Sequence, residues 1–262
     1  MPFINVGDSR LHYEIQQGEN PPVLMLCSTG MSARQWKRLK GVLSHRRCLA
    51  LNYLGYAPSS QNTGVDWRID YMAASTLLLQ EAAPLDLVGH SYGGFLAMKL
   101  ALDYPKHVRS LILHEPVAWG ALSASQDSLL KESFARLYDR LFLQDISKEL
   151  WLEAFVDFWN QPGIWCSLSE SRKNAWRELY PKIYTEVEGL CSDTTPLSTW
   201  QNVSVPVLLT VGQDSPKHEQ EVCRLLANTI PNCTLKIVEG GHLAPVTHHQ
   251  SISLLYRDYL SR

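Results

Sequence analysis

The chain has 262 residues, a formal net charge of −2 and 45% hydrophobic residues, a size that suits one large domain carrying an insertion. No long run of like charge offers an electrostatic footprint for nucleic acid or an anionic membrane, and no stretch approaches the roughly 20 apolar residues that cross a bilayer. Six cysteines without a C-x-x-C spacing argue against a disulfide framework or a zinc site. Residues 1–15 lack a basic flank followed by an apolar core, so the chain is expected to be mature from its first residue, reduced and cytoplasmic. The expected partner is a small-molecule substrate, with no nucleic acid and no membrane, and the state is a monomer or homodimer.

Phe3 to Val6 and Arg10 to Ile15 predict a hairpin that turns at Gly7-Asp8, with Leu11, Tyr13 and Ile15 alternating at period two. Pro22 to Cys27 is a continuous apolar run, as expected of a strand buried on both faces of a parallel sheet. A loop at Ser28 to Met31 leads to a helix around Gln35 to Leu43, and Arg47 to Asn52 is another short strand. The turn Gly55 to Ser60 follows. A helix from about Asp66 to Ala82 then carries Ile69, Met72, Ala73, Leu77 and Leu78 at helical spacing.

The next stretch organises the chain. Leu85 to Val88 has strand character and runs into Gly89-His90-Ser91-Tyr92-Gly93, after which Phe95, Leu96, Met98, Ala101 and Leu102 set a helical pattern. A serine in a strained turn between strand and helix needs glycine two residues before and two after, because side chains there would strike the neighbouring backbone. Gly89 and Gly93 meet that need, so Ser91 is the candidate nucleophile.

Pro105 stops the helical pattern, and Arg109 to Glu115 is the next strand. Val205 to Val211 and Thr234 to Val238 make two more, separated by a helix near His218 to Asn228, and the last helix spans His249 to Tyr259. Strands that alternate with helices predict a mostly parallel, doubly wound sheet with an antiparallel pair at its N-terminal edge. Between Glu115 and Val205 the alternation fails. This insertion holds six of the eight tryptophans and helical patterns near Asp127 to Leu143, Ile146 to Trp159 and Ser169 to Tyr180. It reads as a helical cap over the elbow, residues 117–202, on a core of residues 1–116 and 203–262. So much aromatic surface suggests an apolar pocket wall, with Trp119 and Trp159 as candidate substrate-binding residues.

A serine hydroxyl is a poor nucleophile until a base takes its proton, and an acceptor must orient that base. Gly240-Gly241-His242 follows the final strand, which puts His242 on a loop at the carboxyl edge of the sheet, where Ser91 also emerges. No carboxylate or cysteine joins His242, His248 and His249 into a metal cluster. Neither a metal nor a cofactor is expected.

The elbow at Ser91, the late Gly-Gly-His242 and the strand-loop-helix at Cys27 to Trp36 resemble an α/β-hydrolase-fold enzyme of the capped kind, and the likeness covers the whole chain outside the cap. The resemblance implies a nucleophile, histidine and acid triad. In most of the family the acid follows the strand after the cap in a pattern G-x-x-D, whereas here Gly212-Gln213-Asp214-Ser215 brings Asp214 one residue early. Some haloalkane dehalogenases instead place a glutamate at the end of the strand before the cap, 24 positions after the nucleophile, which is the spacing of Glu115 from Ser91. Glu115 is the preferred acid and Asp214 the alternative. The resemblance also implies an oxyanion hole from the amides of Tyr92 and of Thr29, although Cys27-Ser28 replaces the family's His-Gly pair before that second donor.

The expected activity is hydrolysis of a small, mostly apolar carboxylic ester, or a related lactone, thioester or amide, through an acyl-serine intermediate. The same fold also hosts carbon-carbon bond hydrolysis and cofactor-free dioxygenation. A non-catalytic ligand-binding receptor is the third alternative.

Overall fold

The structure, a computed structural model, describes residues 2–61 and 66–262. Its eight strands are β1 (Phe3–Val6), β2 (Ser9–Gln16), β3 (Glu19–Leu26), β4 (Arg46–Leu51), β5 (Leu85–His90), β6 (Val108–His114), β7 (Val207–Gly212) and β8 (Cys233–Val238). They form one sheet in the order β1-β2-β4-β3-β5-β6-β7-β8. β1, β2 and β4 pair antiparallel, and every pairing from β4 across to β8 is parallel. The apolar runs behave as their composition requires, since Val23 to Leu26 and all of β5 and β7 are buried.

Helices cover both faces. α1 (Lys37–Val42) and α10 (His249–Leu260) pack with Val23, Met25, Val88, Ile112 and Leu208 on one side. α2 (Trp67–Gln80), α3 (Tyr92–Asp103) and α8 (Lys217–Thr229) pack on the other. This is the α/β-hydrolase arrangement that the sequence predicts. Among the described residues, no helix is long and apolar enough to cross a membrane.

Between β6 and β7 the chain is helical. α4 (Ser128–Tyr138), α5 (Lys148–Trp159), α6 (Ile164–Ser167) and α7 (Glu170–Cys191) are joined by short turns. Aspartate or serine caps three of these starts: Asp127, Ser147 and Ser169 each accept a bond from an amide in the first turn. Two local expectations are corrected. The helix read as Asp127 to Leu143 ends at Tyr138 and continues as a π-type turn, Asp139–Leu143. The helix read to Tyr180 runs through Pro181 to Cys191. An internal proline costs about 3 kcal/mol. Beyond it Ile183, Val187 and Leu190 are all buried, and at about 1.5–3 kcal/mol for each side chain that burial outweighs the cost.

Parallel register aligns the carboxyl ends of the central strands. His90 of β5 pairs with His114 of β6, and His114 pairs with Thr210 of β7. The residues just past these ends, Ser91 and Glu115, therefore emerge side by side. A short helix, α9 (Ala244–Thr247), follows β8 by way of the loop that carries His242.

Candidate active site

Ser91 occupies the turn between β5 and α3 with φ +56 and ψ −120, a conformation that side chains rarely adopt. The flanking glycines are needed for space. A Cβ on Gly93 would lie 2.3 Å from the Leu26 carbonyl oxygen, and one on Gly89 would lie 2.5 Å from that of Gly93. Among the described residues only two other than glycine have positive φ, namely Ser91 and Glu115, the latter at +44. Such strain costs on the order of 1–3 kcal/mol at each residue and persists only where the surroundings enforce it. Here the surroundings are ladder bonds: Ser91 N–H donates to the His114 carbonyl at 2.9 Å, and Glu115 N–H donates to that of Thr210 at 3.1 Å.

Glu115 is fully buried, and its carboxylate accepts three bonds. Oε2 lies 2.6 Å from Nδ1 of His242, while Oε1 accepts from Gly212 N–H at 2.7 Å and from the Ser215 hydroxyl at 2.5 Å. A carboxylate at Nδ1 keeps the proton there and leaves Nε2 free to act as a base. Asp214, the alternative acid, is exposed, and its backbone N–H is tied to the Gly240 carbonyl at 3.0 Å. The structure brings Glu115 to the imidazole, not Asp214. The physical reason is that β6 ends beside the Gly240–His242 loop, whereas the turn after β7 aims the Asp214 side chain outward.

Ser91 and His242 line one cavity, together with Thr29, Trp119, Trp159, Trp176, Phe155 and other mainly apolar side chains. Its volume is about 80 Å³. The candidate wall residues Trp119 and Trp159 are both there, and their rings stack at 5.7 Å. Trp159 also stacks on His242 with centroids 3.8 Å apart and planes 22° apart, so a positive charge formed on the imidazole would face an indole π-system. Of the two candidate oxyanion amides, Tyr92 N–H is the first of α3, with no preceding turn to bond it. Thr29 N–H makes no hydrogen bond among the described residues, and the buried Thr29 hydroxyl also lacks a partner.

Behind the cavity lie ionisable groups the sequence did not reveal. His90 and His114 are fully buried, with rings 4.8 and 6.5 Å from that of His242. On the opposite side Lys182 of α7 reaches Asp70 at 2.5 Å and Glu186 at 3.2 Å. The Tyr56 hydroxyl donates to Glu186 at 2.8 Å, and that of Tyr92 donates to Asp70 at 2.9 Å. Because burial penalises the charged form, it holds His242 below its ordinary pKa against the pull of the Glu115 carboxylate, lowers His90, and lowers His114 to about 3. By the same cause Glu219 is raised, and Glu186 is raised to about 7.

These shifts predict an acid limit to stability. His90 and His114 stay neutral in the folded state but take up protons in the unfolded chain below pH 6.5, so their contribution is lost as pH falls past that value. Glu186 and Glu219 act with opposite sign, adding stability as pH falls toward the unfolded value of 4.5. His242, lowered by the same burial, adds to the histidine side, so between pH 6.5 and 4.5 three histidines outweigh the two glutamates by about one proton, ~1.4 kcal/mol per pH unit. Below that the glutamates no longer offset the histidines, each of which removes ~1.4 kcal/mol per pH unit. The thermal midpoint is expected to decline gently between pH 6.5 and 4.5 and to drop steeply below; a midpoint still level at pH 3.5 would contradict this account.

An eight-stranded, mostly parallel sheet with a serine elbow, a late histidine and a buried carboxylate at one edge defines the alpha/beta hydrolase class. The family model described as alpha/beta hydrolase fold matches residues 21–150, about half of the chain. The chain belongs to this superfamily. A 2-hydroxy-6-oxo-2,4-heptadienoate hydrolase of Pseudomonas putida is 26% identical over 267 residues, covering 93% of this chain and 90% of that one. A protein named as a carbamate hydrolase in Azorhizobium caulinodans is 30% identical, but over 117 residues that make up 43% of either chain. Among solved structures, the enol-lactonase from Burkholderia xenovorans superposes with a TM-score of 0.71 at 18% identity, covering all of both chains.

Proposed function

We propose that the chain is a serine hydrolase of small, neutral, mostly apolar carboxylic esters, or of related lactones, thioesters or amides, acting through an acyl-serine intermediate. Ser91 Oγ gives its proton to Nε2 of His242 and bonds to the substrate carbonyl carbon. The carbonyl electron pair moves onto oxygen, where the amides of Thr29 and Tyr92 hold the charge, each donor contributing roughly 3–4 kcal/mol. Collapse breaks the bond to the leaving group, which takes the proton from Nε2. Water repeats the sequence on the acyl-enzyme, releasing the acid and restoring Ser91. Glu115 fixes the tautomer of His242 and stabilises the imidazolium. Residues 117–202 serve as the cap, with Trp119 and Trp159 walling the acyl site.

The observation that carries this reading is that the two strained non-glycine residues among those described are the proposed nucleophile and acid, with the imidazole bonded to the acid and opening on the same cavity as the serine. The lining disfavours a charged substrate. Among the described residues no lysine, arginine, aspartate or glutamate lines the cavity, and the nearby Lys182 is already engaged by two carboxylates. An anionic substrate would lose its hydration with no cationic side chain to replace it. The P. putida relative is named for a carboxylate, a dienoate, so carbon-carbon bond hydrolysis stays the second reading and the lining weighs against it.

At about 80 Å³ the cavity is small. The kcat/KM for p-nitrophenyl esters is therefore expected to peak at acetate or butyrate. It should fall at least about tenfold for octanoate and for the anionic succinate half-ester, since a clash or an unpaired charge in so small a site exceeds ~1.4 kcal/mol. No turnover of any neutral ester, together with no labelling of Ser91 by a fluorophosphonate, would sink the reading.

A further inference from the structure

The loop after β3 departs from the family pattern at its most sensitive point, having Cys27-Ser28 where a His-Gly pair is usual, yet it is held more tightly than a free loop. Of three consecutive amides in the loop, the outer two end on different partners. Ser28 N–H donates to Oε1 of Gln35 at 3.0 Å, and Gly30 N–H donates to the Tyr56 hydroxyl at 2.8 Å. The amide between them, on Thr29, has no partner among the described residues. A turn bond from Met31 N–H to the Ser28 carbonyl at 3.1 Å closes the loop, and Gly30 takes φ +73 there.

Both acceptors are themselves anchored on the nucleophile elbow, from opposite sides. Gln35 Nε2 lies 2.9 Å from Nδ1 of His90, the residue before Ser91; the NH₂ donates, so this histidine nitrogen accepts, and a flipped amide would set its NH₂ against the Ser28 N–H. On the other side Tyr56 donates its single hydroxyl proton to Glu186, which turns its lone pairs toward Gly30. From Glu186 the contacts run through Lys182 and Asp70 to the hydroxyl of Tyr92, the residue after Ser91. Ser28 and Tyr56 are 4% and 3% exposed, while their partners Gln35 and Gly30 are half-buried, so these bonds are partly shielded from water.

We infer that Gln35 and Tyr56 are positioning residues that clamp the amides on either side of Thr29, so that the free Thr29 N–H is registered against Ser91. The inference rests on the hydrolase reading for its chemical consequence but not for its structural one. An amide that stabilises a developing oxyanion acts in the transition state and hardly in the ground state. Loosening it therefore lowers kcat and leaves KM nearly unchanged.

The test uses Gln35→Met and Tyr56→Phe, which keep side-chain volume and remove only the polar atoms, and the double variant. Three quantities are read: the rate of Ser91 labelling by a fluorophosphonate, ester kcat and KM, and amide hydrogen exchange of the peptide covering residues 27–31 with that covering 85–90 as a control. Each single variant is expected to slow labelling and kcat about tenfold or more at unchanged KM, with faster exchange confined to 27–31. Because both clamps serve one amide, the double variant should lose no more than about 10²–10³, the worth of that donor, and so less than the product of the single effects. Labelling at the wild-type rate in both single variants overturns the inference, as does loop exchange that matches wild type. A wild-type protein that neither labels nor cleaves esters fails the hydrolase reading instead, and loop exchange in the variants then decides alone whether the clamps exist.

Discussion

Replacing Ser91 with alanine is expected to abolish ester turnover, a loss on the order of 10⁴-fold or more in kcat, since removing the nucleophile from a coupled triad removes nearly all it does as a unit. The fold should survive. Alanine has the same backbone limits at φ +56 as serine, and the change deletes one oxygen that faces a cavity rather than a packed core. Loss of activity with an unchanged melting temperature, and loss of the fluorophosphonate adduct at the peptide holding position 91, is the expected pair of results. Undiminished p-nitrophenyl butyrate hydrolysis by Ser91→Ala would remove Ser91 from the chemistry.

Glu115→Gln is the second large effect and separates the two acids. The Glu115 carboxylate receives three donors: the His242 ring, the Gly212 amide and the Ser215 hydroxyl. A glutamine offers one oxygen and one NH₂, so one side must set donor against donor. If the NH₂ faces His242, the ring is driven to the wrong tautomer; if it faces Gly212, a buried amide is left unpaired at about 1–3 kcal/mol. A fall in kcat on the order of 10³–10⁴ is expected, with a lower melting temperature. Asp214→Asn, at an exposed turn that bonds through its backbone, should stay within about twofold of wild type. The reverse pattern would transfer the role of acid to Asp214.

The alternation of strands and helices, the elbow and the late histidine were legible because each is a local signal: period, glycine spacing and position after the final strand. The choice of acid was not, because Glu115 and Asp214 both follow strands in the right half of the sheet. Only the path of the Gly240–His242 loop decides which one the ring meets. Gln35, Tyr56 and the Lys182 cluster were invisible for a different reason. Lys182 and Glu186 lie on the same face as Ile183, Val187 and Leu190, yet a helix read as ending at Tyr180 does not join them into one buried stripe. Gln35 and Tyr56 act across separations of 7 and 26 residues on a loop without periodicity, and no pattern in the sequence joins them.

The ring-on-ring contact between Trp159 and His242 couples two properties that evolution or a protein engineer would wish to vary separately. On the proposed reading, widening the acyl range by trimming that indole would also loosen the base, whereas Phe155 and Trp176 border the same space without resting on the imidazole. Substrate range in this scaffold is thus free to drift along the outer wall and is constrained at the inner one.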